Sequence, residues 1–260
     1  MKFQLKNILA VMAITLAMVS CSNDDDSSQS SGDLVVEFDN IYKGANLAFN
    51  TEYTNSNGEK IKVATAKYIV SNIVLTKLDG STFVYPKNDS YFIVDESNPE
   101  STELLLSNIP VGDYKAIKFG IGVDQARWEQ GVDAQANFWA EAQATEMEWG
   151  WTAGYKYVNF EGTFTTPTNT TAAQFQAHTG RSADNYNYTE ITLSFEEGEN
   201  ALVRGTNLPQ IHVMADLSHI LDGTNKINLS EGASIHGGVK MSLMTQNLSN
   251  MFVVDHVHND

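Results

Sequence analysis

The sequence predicts an all-β protein: a β-sandwich-like single domain with a short helical insert and long loops. Three observations carry this reading. From Asp33 onward the apolar residues recur mainly with period two, the β-branched and aromatic residues gather in short runs, and turn-forming Gly, Asn and Asp residues separate the runs. At 260 residues and 42% hydrophobic, the chain is long enough to bury a sizeable core.

The chain opens with what reads as an address. Met1 to Ser20 places Lys2 and Lys6 before an apolar run from Ile8 to Val19, the layout of a secretory signal, and the run is too short to span a bilayer. Cys21, the lone cysteine, follows directly in Met18-Val19-Ser20-Cys21, which resembles a bacterial lipoprotein cleavage box with Met in place of the usual Leu. Lipidation of Cys21 is therefore expected, with acyl chains as the membrane anchor. Residues 21–32 are acidic, Ser-rich and without an apolar side chain after the cysteine, so they read as a tether. The Asp24-Asp25-Asp26 triplet resembles the tag that directs lipoproteins of the Bacteroidota to the outer cell face, which gives an outer-membrane, surface-exposed location as the expectation.

Residues 33–260 form the expected domain, since no Pro- or Ser-rich linker interrupts them. Leu34 to Phe38 is the first candidate strand, followed after the Ser56-Asn57-Gly58 turn by Tyr68 to Lys77 and, past Leu78-Asp79-Gly80, by Tyr91 to Asp95. Tyr114 to Ile121 follows Val111-Gly112-Asp113 and alternates strictly. Val132 to Glu148 departs from period two, with Ala134, Phe138 and Ala142 spaced by four among Ala, Gln and Glu, and predicts an inserted helix. Tyr155 to Phe164 returns to strand character, and residues 165–188 read as a long loop. Thr189 to Phe195, Ile211 to Leu217 and Met251 to Val257 complete the strand set.

Charge and motifs narrow the function. With 16 basic against 32 acidic residues the net charge is −16, or −18 once residues 1–20 are gone, which argues against nucleic acid and anionic lipid as partners and favours cations. A single cysteine excludes a disulfide framework and a thiolate metal site. There is no Gly-x-Ser-x-Gly, phosphate loop or His-Glu-x-x-His, so the chain is expected not to be an enzyme.

Any resident metal must then be held by His, Asp, Glu, Met or something unusual, and the histidines are taken first. His256 and His258 stand two apart in a strand, about 7 Å apart at Cα and on one face, with Asp255 expected to point away. His212 shares the outward face of its strand with Met214 and Asp216, while Ile211, Val213, Ala215 and Leu217 face inward. His219 and His236 read as ordinary turn or loop residues, and Met241, Met244 and Met251 as core filling rather than thioether ligands. Trp149 and Trp151, two apart, are expected on one face if the segment is extended.

Together these residues resemble the MbnP-like copper-binding proteins, many of which are lipoproteins of the Bacteroidota. The resemblance rests on Lys67-Tyr68-Ile69-Val70-Ser71-Asn72-Ile73, Ser90 to Asp95, Ile121 to Asp124, Trp149-Gly150-Trp151-Thr152-Ala153-Gly154-Tyr155, Phe160-Glu161-Gly162, Phe175 to Gly180, Ile211-His212-Val213 and the tail from Met251 to Asn259. It implies a secreted β-sandwich that binds one copper ion through histidines, with His178, His212, His256 and His258 as ligand candidates. It also implies a tryptophan, Trp149 or Trp151, oxidised to kynurenine by a dihaem partner of the MbnH type. The insert from Val132 to Glu146 departs from the short Gly-rich stretch expected before the tryptophans. The competing reading is a metal-free adhesion or glycan-binding lipoprotein that uses Trp128, Trp139, Trp149 and Trp151 as a sugar-stacking surface.

Overall fold

The computed structural model of the protein describes residues 30–183 and 185–260. The signal peptide, Cys21 and most of the tether lie outside the described residues, and among those described no helix is long and apolar enough to cross a membrane.

In chain order the strands are β1 (Ser31–Tyr42), β2 (Ala45–Asn46), β3 (Glu52–Thr54), β4 (Lys60–Lys77), β5 (Thr82–Val84), β6 (Tyr91–Asp95), β7 (Glu103–Pro110) and β8 (Gly112–Ile121). The short helices α1 (Gln125–Trp128) and α2 (Ala136–Ala144) then precede β9 (Lys156–Thr166), β10 (Asn169–Gly180), β11 (Thr189–Ser194), β12 (Ala201–Val203) and β13 (Gln210–Asp216). The chain ends with α3 (His219–Asp222), β14 (Ser234–Ile235), α4 (Gly238–Asn247) and β15 (Phe252–His258).

Two sheets form. The smaller runs β15-β13-β1-β2 with β7 on the other edge of β1, and β1 pairs with β13 in parallel. The larger runs β11-β8-β4-β9-β10-β14. Its spine is β4, whose 18 residues pair with β9 and β8 along one edge and with β3, β6 and β5 along the other. Alternation decides what each strand turns inward: Ile211, Val213 and Ala215 of β13 are fully buried while Gln210, His212, Met214 and Asp216 are half-buried on the opposite face.

The core is sewn together by aromatic rings from both sheets. Phe38 of β1 and Phe252 of β15 meet Tyr68 of β4 and Phe119 of β8 in edge-to-face contacts with centroids 5.2–6.0 Å apart. Each such pair adds about 0.5–1.5 kcal/mol beyond the burial of its area. Tyr68 is fully buried, and its hydroxyl donates to Asn40 Oδ1 at 2.9 Å. The expected β-sandwich-like, all-β architecture is thus observed.

Two local expectations are corrected and a third is met. The loop expected at 165–188 contains β10, which forms a hairpin with β9 from Thr166↔Asn169 to Lys156↔Gly180. The insert expected as one helix from Val132 to Glu148 is a 3₁₀ turn at Asp133–Gln135 and then α2, which ends at Ala144 two residues before Glu146 takes φ +61°. The segment around Met241 and Met244 forms α4, and both methionines are fully buried, so their expected place in the core holds.

The insert covers the outer face of the large sheet. Phe138, Trp139 and Ala142 of α2 pack with Ile69, Tyr91, Val123, Tyr155 and Tyr157 in a second, smaller core. Trp128 stacks on Trp151 with centroids 4.3 Å apart, and Trp139 meets Trp151 edge-on at 5.0 Å. Trp128, Trp139 and Trp151 thus pack on one another.

Candidate metal centre

The histidines form two clusters on different sheets. His178 stands on β10 of the larger sheet, whereas His212, His256 and His258 belong to β13 and β15 of the smaller one. The structure groups His178 apart from the tail histidines with which the sequence reading joined it.

The first cluster arises from the strands that flank β10. In β10, Gln176 and His178 share a face, and antiparallel β9 sets Glu161 opposite Gln176. On the other edge the two-residue β14 runs parallel, with Gln176 beside Ser234 and Ala177 beside Ile235. The next residue, His236, so arrives beside His178. The imidazole rings lie 4.7 Å apart at 71°, and their Nδ1 atoms are 3.0 Å apart.

The outer nitrogens decide what lies between them. His178 Nε2 faces Glu161 Oε1 at 2.7 Å, and His236 Nε2 faces Gln176 Oε1 at 3.2 Å. Both oxygens can accept, and with a proton on each Nε2 the two Nδ1 lone pairs face one another across this gap. A cation relieves that opposition: metal–imidazole bonds of about 2.0–2.1 Å span this separation after a small opening of the pair. Such outer partners are also what orients ligating histidines in metal sites.

Protonation favours the same outcome. Burial, aided by the charges of Lys156 and His236, pushes the His178 pKa down to about 3. His236 is also lowered, by its partial burial and by Lys156. Both shifts favour the neutral ring, the form that binds metal. His178 is 2% exposed and His236 open to solvent, so the pair has a buried wall and an accessible mouth.

Trp149 closes the cluster. Its ring centroid lies 5.8 Å from His178 and 6.2 Å from His236. The surrounding turn separates the two tryptophans instead of placing them on one face: Gly150 and Gly154 both take φ +92°, and Trp149 N–H donates to the Gly154 carbonyl at 2.9 Å. Trp151 is thereby thrown onto Trp128, and Trp149 alone reaches the histidines. Room for its ring comes from Gly180, where a Cβ would stand 2.6 Å from Trp149 Cζ3.

The second cluster lies across β13 and β15, where His212 and His256 pair directly and their rings are 4.6 Å apart. His258 joins them, its Nε2 2.8 Å from His256 Nε2, as the two-residue spacing predicts. Asp255 is the correction. The register of β15 slips between Val213↔Val254 and His212↔His256, so Asp255 is an extra residue in a β-bulge. The bulge brings Asp255 Oδ2 to 2.7 Å from His256 Nδ1 and 3.5 Å from His212 Nδ1, instead of away from them. The hydrogen bond from His256 holds the Asp255 carboxyl below its usual range.

Sequence reasoning placed His236 among ordinary loop residues and gave no role to Glu161. Only the parallel pairing of β14 with β10 would have shown His236 at the site, and a two-residue strand has too little pattern to announce that. His219 opens α3 and joins neither cluster.

The family model MbnP matches residues 31–241. Among solved structures, MbnP from Methylosinus trichosporium is similar at 14% identity, covering 80% of this chain and 82% of that one, with a TM-score of 0.49. No curated protein matches. The match of one family model over most of the chain makes this protein a member of the MbnP family.

Proposed function

We propose that this member of the MbnP family is a cell-envelope copper-binding lipoprotein that holds copper at the His178–His236 pair. One observation carries the reading: two imidazoles face each other Nδ1 to Nδ1 at 3.0 Å, with each outer nitrogen facing an oxygen. Imidazole suits copper, and an overall negative charge draws cations to the surface. The resemblance drawn from the sequence supplies the choice of copper over other ions that imidazole accepts. Glu161 and Gln176 orient the rings, burial keeps His178 unprotonated, and Trp149 walls the site.

Within this reading the protein delivers or stores its ion and catalyses no reaction. Trp149, not Trp151, is the position a dihaem partner of the MbnH type would oxidise to kynurenine, because Trp149 alone borders the two histidines. Cys21 would anchor the chain in the outer membrane by lipid alone.

Copper titration of the mature chain in competition with a chromogenic Cu(I) chelator tests the proposal. His178→Gln and His236→Gln should each weaken binding strongly, and His219→Gln should leave it unchanged. Unaltered affinity and stoichiometry in the His178→Gln, His236→Gln double variant would refute the assignment.

A further inference from the structure

The His178–His236 pair leaves a whole cluster of ligating side chains unused on the other sheet. We infer that His212, Asp255 and His256 form a second metal site, for a borderline divalent transition ion such as zinc. One nitrogen from each imidazole and one oxygen of the carboxylate all lie within 4.8 Å of one another. The β-bulge creates this convergence. In a regular strand Asp255 and His256 would point to opposite faces, and the extra residue turns both toward His212.

Three further observations point to an ion. His212 Nδ1 is shielded from solvent and has no hydrogen-bond partner, although it faces the Asp255 carboxylate at 3.5 Å. A buried polar atom left unpaired costs about 1–3 kcal/mol, and a metal bond to that nitrogen removes the cost. The far side of the same ring faces carboxylates: His212 Nε2 lies 3.8 Å from Glu37 Oε1 and 4.0 Å from Asp39 Oδ2, both on the neighbouring strand β1. Carboxylates on that outer side of a ligating imidazole favour a cation at its inner nitrogen by charge, without a direct hydrogen bond at these distances. His256, finally, uses Nδ1 toward the site while its Nε2 meets His258 Nε2 at 2.8 Å, so His258 acts as the outer partner of a ligand.

The donor set also separates this site from the first. Two imidazoles and a carboxylate suit zinc, nickel or copper(II), and three protein ligands leave a coordination position open to solvent. Asp255 and His256 are exposed or half-exposed, at 44% and 37% of their side chains, so an ion can enter from the surface. Both residues lie beyond position 241, where the family match ends. The site therefore joins a strand inside that span to a tail outside it, and a bound ion would pin the tail to β13.

Zinc titration of the mature chain in competition with a chromogenic chelator decides the matter. The parent variant carries His178→Gln and His236→Gln, so its result does not depend on the copper assignment. It should still take up one equivalent of zinc. Adding Asp255→Asn should weaken that binding at least about 10-fold, and adding His212→Gln with His256→Gln should abolish it. Asp255 is a surface residue, so its variant keeps the fold, which a thermal melt verifies. Zinc should also slow amide exchange from Val253 to Val257 in the parent and not in the Asp255→Asn variant. No zinc uptake by the parent variant, or equally tight uptake after Asp255→Asn, overturns the second site while leaving the copper proposal standing.

Discussion

Acidifying the metal-free protein should reveal His178 as a pH-dependent weak point of the fold. Its pKa is about 3 in the folded state because the ring is 2% exposed, against about 6.5 in the unfolded chain. The unfolded state therefore binds a proton that the folded state refuses, and stability falls as pH drops below about 6.5 and stops falling near the folded value. Between pH 7 and pH 5 the loss from this one group is about 2 kcal/mol, since each pH unit well inside the window costs about 1.4 kcal/mol. Urea unfolding in the presence of a chelator, at pH 7 and pH 5, measures it. Wild type should lose about 2 kcal/mol more over that interval than His178→Gln, because the remaining titrating groups are common to both. Copper at 100 times its dissociation constant should add about 2.7 kcal/mol at pH 7 in wild type and much less in the variant. An equal pH slope in the two proteins would show that His178 is not held neutral by burial, and with it the argument that the pair is preset for metal would fail.

Two further outcomes follow from neighbouring geometry. Gly180→Ala would place a Cβ 2.6 Å from both Trp149 Cζ3 and the Tyr155 carbonyl oxygen, so Trp149 must leave the histidines; a stability loss of about 1–3 kcal/mol, shifted tryptophan fluorescence and weaker copper binding are expected, and unchanged fluorescence would contradict it. Asp124→Asn should destabilise by about 2 kcal/mol at pH 7. Burial raises the Asp124 carboxyl, but hydrogen bonds from Lys87, Tyr91 and Asn72 outweigh it and hold the pKa at about 2, so this stability is present above about pH 4 and vanishes as pH falls toward 2. A gap between wild type and Asp124→Asn that persists at pH 2 would show that the cost comes from lost packing and not from the charge.

The strands that sequence reading found were those whose alternation is enforced by a buried face. Ile117 and Phe119 of β8 and Ile211 and Val213 of β13 are all fully buried, and each pair announced its strand, whereas β4, buried on both faces at Tyr68 to Ser71, was legible from its β-branched and aromatic residues. β10 escaped because its first half, Asn169 to Gln174, is exposed on both faces and rich in Thr, Ala and Gln; it is a strand because β9 pairs with it across a short hairpin, which is a tertiary cause. The Ser71-Asn72-Ile73 stretch shows the same limit from another side. Asn72 takes φ +53° and ties Asp124, Tyr188 and Lys87 together, so a residue that carried the family resemblance serves the fold at this point and touches neither histidine cluster.

At the metal centres the boundary falls between what a strand's own period dictates and what register dictates. Periodicity put His256 beside His258 and His212 on the outward face, and all three meet. It also sent Asp255 the wrong way, because a bulge is an extra residue relative to a partner strand and leaves no mark in the period of its own. The pairing of His178 with His236 depends on register alone, across 58 positions and through a parallel contact two residues long. Both clusters thus owe their third or second ligand to a feature of pairing between distant strands. This accounts for the four histidines expected at one site falling into two clusters: each strand presents its histidines faithfully, and the sheet to which it is joined decides which of them meet.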